Sequence, residues 1–189
     1  MTVTAVEKSP EKLTMTVTAE FDASPERVWL LWADPRQLER WWGPPSYPAT
    51  VTAHDLAPGS RVEYHMTGPG GDQPRGFWEI LESDAPHRLV FRDGFANDDG
   101  TPNDQLPGTT ARVTIEEIAG GRTRMSIQST FPSTQAMEQI LAMGMEAGLT
   151  QAVGQIDAIL AEVAGPVSAR LLALEYVPPT DHERPEPQR

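Results

Sequence analysis

The feature of this sequence that most constrains its fold is a change of hydrophobic period after Pro132. From Thr50 to Phe131, apolar side chains recur at every second residue in short runs separated by turn signals. After Pro132 they recur at every third and fourth residue as far as Val163. Period two marks a strand with one buried face, and a period near 3.6 marks a helix with an apolar stripe. A sheet with one apolar face and a helix with one apolar stripe can bury each other. The expected class is therefore α+β, a curved antiparallel sheet around a long C-terminal helix.

The same rules place the individual elements. Leu13, Met15, Val17, Ala19 and Phe21 alternate with threonines and Glu20 to form a half-buried first strand. Two short helices follow that strand. Ser24 is the first N-cap, with Pro25 at the first helical position, and Asp34-Pro35 restarts the pattern, with Gln37 placed as in a capping box. Val28, Trp29, Leu31, Trp32, Leu38, Trp41 and Trp42 supply their apolar side, and Gly43-Pro44-Pro45 ends the helical run. Six strands are expected at 50–56, 61–66, 76–82, 88–95, 109–118 and 122–131. The polar loop Asn97 to Gly108 is long enough to cover a cavity mouth. One helix is expected from Ser133 to Val163, although Gly144 and Gly148 each cost it roughly 1 kcal/mol. Residues 1–11 read as a flexible leader and 12–163 as the folded domain. Residues 164–189, with five of the 18 prolines, read as a partly disordered tail.

Composition narrows the function. The chain has no cysteine, which excludes disulfides, thiolate-held metal and a cysteine nucleophile. That composition, with no apolar signal-peptide core and no membrane-length apolar run, points to the cytoplasm. The formal charge of −12 disfavours nucleic acid and anionic membrane surfaces as partners. The same acidity serves solubility or offers a face to a protein partner. His54, His65, His87 and His182 lack metal-ligand spacing, and the run from Asn97 to Asp104 lacks the spacing of a calcium loop. No nucleophile elbow or phosphate-binding glycine loop is present. No metal and no cofactor are expected. Glu63 and Glu79 could pair as acid and base, although alternation sets Glu79 with Phe77 and Leu81 and leaves its direction open, and Arg61 or Arg112 could anchor a carboxylate, with an exposed, solvated position as the competing reading of each.

Phe21-Asp-Ala-Ser-Pro-Glu-Arg-Val-Trp29, then Trp41-Trp42-Gly43-Pro44, resembles the START-like superfamily, in the branch named for homology to the activator of Hsp90 ATPase. The strands from Gly76 to Ile80 and from Pro86 to Phe91 are similar to the branch's central strands. Gly144-Met-Glu-Ala-Gly148, with Leu149 and Leu160, is similar to its final helix. The resemblance covers roughly residues 13 to 162 and implies a helix-grip fold with a deep cavity between sheet and helix. It also implies binding of lipids, polyketides or other apolar molecules. Some relatives are cyclases or hydrolases, and the eukaryotic namesake is a co-chaperone. The family often carries tryptophan where Leu149 stands, and another near Asp93. If those positions line the cavity, this one is roomier or more polar.

The residues expected on the cavity wall are Trp42, Tyr64, Trp78, Phe91, Met125, Met137, Leu141, Met145 and Leu149. A packed core is the competing role for each. The leading expectation is a non-enzymatic binder of a small hydrophobic or aromatic ligand. A polyketide cyclase or dehydratase needs a polar cluster inside, drawn from Tyr64, Glu79, His54 or Arg112. A chaperone-associated module needs an exposed patch. No catalytic residue carries over from the resemblance, and no pattern specifies or excludes a homodimer.

Overall fold

The computed structural model describes residues 3–163. The expected strand after the leader is β2 (Thr14–Phe21), and its buried residues are Met15, Val17, Ala19 and Phe21. Two helices follow, α1 (Pro25–Ala33) and α2 (Pro35–Leu38). Ser24 accepts from the Arg27 amide and Asp34 from the Arg36 amide, so both expected caps form. The strands β3 (Ala49–His54), β4 (Arg61–Met66), β5 (Arg75–Asp84), β6 (Arg88–Ala96), β7 (Thr109–Ile118) and β8 (Arg122–Thr130) complete a curved, antiparallel, eight-stranded sheet. With a further strand, β1 (Val3–Ser9), at one edge, its order is β1-β2-β8-β7-β6-β5-β4-β3.

Two sequence expectations need correction. Val3–Ser9 is not a loose leader but strand β1, paired antiparallel with β2 from Val3↔Ala19 to Ser9↔Thr14. The edge of β2 offers unpaired amides and carbonyls, and β1 satisfies them. The single helix is three segments, α3 (Thr134–Ala142), α4 (Met145–Gly154) and α5 (Ile156–Val163). The first break falls at Gly144, whose φ of 93° is open to glycine at little cost. The tail expected at 164–189 lies outside the described residues.

The core sits between the concave face and the helices. Trp32 is its hub, with ring centroids of Trp41, Trp42, Trp78 and Phe91 at 4.7, 5.9, 5.8 and 6.2 Å. α1 and α2 thereby plug one end of the sheet. Where α4 crosses the other end, the packing opens.

Candidate functional site

Two adjoining hollows lie between the sheet and α3–α4. The outer one has a volume of about 320 Å³ and reaches from Tyr47 and Arg75 to Ile140 and Met143. The inner one, about 180 Å³, runs from Trp42 and Ala111 to Leu149 and Ala152. They share Pro44, Tyr64, Met66, Asp93, Met145 and Gly148. Gly148 is where the helix wall recedes: a Cβ added there would meet nothing within 4 Å. A third cleft, about 390 Å³, opens beside Glu79 and Arg92 on the outward face and is roofed by the 97–108 loop.

The walls are largely apolar: Ser129 lines the inner hollow, Tyr47, Arg75 and Thr109 line the outer one, and one polar pair borders both. Tyr64 on β4 points inward because it alternates with Glu63 and His65, and its hydroxyl donates to Asp93 Oδ1 at 3.3 Å. Gly76, opposite Tyr64 in the β4–β5 ladder, makes room for that ring, since a Cβ there would lie 2.4 Å from the hydroxyl. Asp93 follows Leu89 and Phe91 on the inward side of β6. Burial pushes its carboxyl from 3.8 up to about 7, a rise the Tyr64 hydrogen bond only partly opposes. Burial, and then the charge of Asp93, push the Tyr64 hydroxyl well above its ordinary 10.

The tryptophans differ in how their N–H groups are met. Trp41 Nε1 donates to the Leu31 carbonyl at 3.0 Å, and Trp32 Nε1 to Met125 Sδ at 3.4 Å. Trp42 Nε1 and Trp78 Nε1 are buried without a partner. Both lean toward the Tyr64 hydroxyl closely enough to favour its ionised form, yet neither makes a hydrogen bond to it.

Of the nine residues expected on the cavity wall, the structure brings Trp42, Tyr64, Met145 and Leu149 to the hollows. Trp78, Phe91, Met125 and Met137 are packed into the core behind the wall. Trp78 and Phe91 stack at 4.3 Å between centroids. Leu141 faces a separate groove between α4 and Val6 of β1. The break at Gly144 turns Leu141 away from Met145. Of the polar cluster an enzyme would need, only Tyr64 faces inward. Glu79 pairs with Arg92 and Arg112 with Glu82 on the outward face, and His54 Nε2 meets the Trp32 carbonyl. Glu63 pairs with Arg61, also outside. Asp93, Met66 and Pro44 are wall residues that the expected set lacks. An acidic residue two places after Phe91, in phase with it, is the signal that marks Asp93.

The model for "activator of Hsp90 ATPase homolog 1-like protein" matches residues 22–161. The chain belongs to this family. Among solved structures, a Mycobacterium smegmatis protein is 50% identical, with a TM-score of 0.77 over 84% of this chain and 96% of that one. A protein from Arthrobacter aurescens is 48% identical, with a TM-score of 0.81 over 88% and 94%. A family member from Silicibacter pomeroyi shares the fold at 19% identity and a TM-score of 0.62, over 78% and 97%. The comparison with curated proteins returns no match. Leu149 and Asp93 both lie on the wall of the inner hollow. No described helix is long and apolar enough to cross a membrane, and no metal-ligand cluster exists among the described residues.

Proposed function

We propose that this chain binds a small hydrophobic or aromatic molecule in the joined hollows, without altering it. The observation that carries this reading is the gap between α4 and the sheet in a core that is otherwise densely filled. Trp42, Met66, Met145 and Leu149 give it apolar walls, and methionine side chains adapt to irregular guests. An open apolar surface of this kind gains free energy by covering itself, at roughly 25 cal/mol per Å². The test is a titration with the uncharged probe N-phenyl-1-naphthylamine on wild type and Gly148→Leu. Wild type is expected to bind saturably and melt at a higher temperature with the probe. The leucine fills the hollow and should weaken binding at least tenfold in a chain that still folds. Wild type without saturable binding, or equal binding by both chains, would overturn the reading.

The Tyr64–Asp93 pair favours a second reading, chemistry of the polyketide cyclase or dehydratase kind on the bound molecule. A carboxyl that titrates near neutrality can give and take a proton. Under this reading an aryl polyketone is consumed by wild type and spared by Asp93→Asn.

A further inference from the structure

A carboxylate that leaves bulk water needs cations, hydrogen-bond donors or retained solvent to stay ionised. Asp93 has little of the first two. It faces the hollows from β6, opposite Trp78 in the β5–β6 ladder and Thr109 in the β6–β7 ladder. Its Oδ1 receives one long hydrogen bond, from the Tyr64 hydroxyl at 3.3 Å. Its Oδ2 accepts none among the described residues and keeps accessible surface. Besides this pair, the titratable groups on the hollows are Tyr47 and Arg75, both on the outer wall. Asp72 engages the Tyr47 hydroxyl and pushes it above its ordinary 10, and Arg75 does not pair with Asp93. β7, β8, α3 and α4 bring no charged side chain to either hollow. Glu79 and Arg92, which flank Asp93 in the ladder, pair with each other on the outward face.

The ionised form of Asp93 therefore depends on solvent that reaches Oδ2 through the hollow. An apolar guest takes the place of that solvent and offers no donor in return. Charge and guest compete for one volume, whereas a neutral carboxyl and a guest do not. Burial already sets the carboxyl to titrate at about 7, so both forms lie within reach of neutral pH. We infer that the hollows admit an apolar guest only while Asp93 is neutral, so that binding takes up a proton at this carboxyl. The coupling is reciprocal: a bound guest raises the pH at which Asp93 ionises, and ionisation expels the guest. The inference rests on the binding reading above and adds pH control of the same site.

The test follows the fluorescence of N-phenyl-1-naphthylamine, which stays uncharged throughout, in titrations of the full chain at pH 5.5, 7.0 and 8.5. Circular dichroism at each pH establishes that the chain is folded. The probe should bind wild type about thirtyfold more weakly at pH 8.5 than at pH 5.5, the ratio for a group titrating at about 7 whose ionised form excludes the guest. Asp93→Asn, which cannot ionise, should bind with one affinity across the range. Calorimetry of wild type at pH 8 in phosphate and in Tris, whose ionisation heats differ, adds a readout that needs no variant. The two heats should differ by the amount for uptake of about one proton per guest, and at pH 5.5 buffers of different ionisation heat should give equal heats. Saturable binding of equal strength at pH 5.5 and 8.5, no buffer-dependent heat at pH 8, or the wild-type pH dependence persisting in Asp93→Asn overturns this inference and leaves the binding reading intact. Absence of saturable binding at every pH overturns both.

Discussion

Asp93 is the side chain whose environment most changes its chemistry. It keeps some surface open toward the hollow, but protein surrounds its carboxyl, and the unfolded chain would ionise it near 3.8 rather than near 7. The folded state therefore holds a proton that the unfolded state releases. Stability from this group is complete at pH values below about 4 and is lost as pH rises through 7. The loss is of the order of 2–4 kcal/mol. Urea denaturation of wild type and Asp93→Asn across that range should show a downward slope with rising pH in the first, much reduced in the second. A second prediction concerns Gly76. Its missing Cβ leaves space for the Tyr64 hydroxyl, so Gly76→Ala must displace a stiff ring. That overpacking should cost about 1–3 kcal/mol in chemical denaturation. The buried face of β4 was legible in the sequence, where Val62, Tyr64 and Met66 alternate with charged or imidazole side chains. The hydrogen bond from Tyr64 to Asp93 was not, because it spans β4 to β6 and depends on how the sheet curves.

The elements show the same division. Every strand from β2 to β8 lies close to where alternation places it, because burial of one face is a local demand repeated along each strand. The register shifts between Ile80 and Glu82, and Leu81, in phase with Phe77 and Glu79 on the outward face, is exposed. β1 escaped detection because Val3, Ala5 and Val6 do not alternate, and the register shifts between Val3 and Ala5. What makes it a strand is the free edge of β2. The helical segments illustrate the limits of periodicity, since the apolar stripe passes through Gly144 in phase while the backbone there adopts a positive φ. Two glycine substitutions separate these roles. Gly144→Ala places a Cβ on a left-handed residue and should cost about 1–2 kcal/mol. Gly148→Ala, within α4 and with open space for its methyl, should raise stability by about 0.5–1 kcal/mol. Thermal denaturation of the pair gives the signs.

At the scale of the whole molecule, charge and topology matter most. The formal charge of −12 makes long-range repulsion a general cost of the compact state. Exposed pairs such as Arg88–Glu82, Arg124–Glu20 and Lys8–Glu146 contribute at most about 1 kcal/mol each. Screening should relieve the repulsion more than it weakens the pairs, so the melting temperature should rise as sodium chloride is raised from low to physiological concentration. A falling melting temperature would show that the pairs dominate. The sequence by itself determined the succession of elements, the buried face of most strands, the helix caps and the class of fold. These follow from periodicity and capping, which act between near neighbours. Only the tertiary structure decided that Trp78, Phe91, Met125 and Met137 fill the core while Trp42, Tyr64, Met145 and Leu149 border open space. It also decided that Asp93 stands among the wall residues. Those outcomes depend on the curvature of the sheet and on where α4 departs from it, and no local pattern encodes the distance between two elements that meet only after the chain has closed.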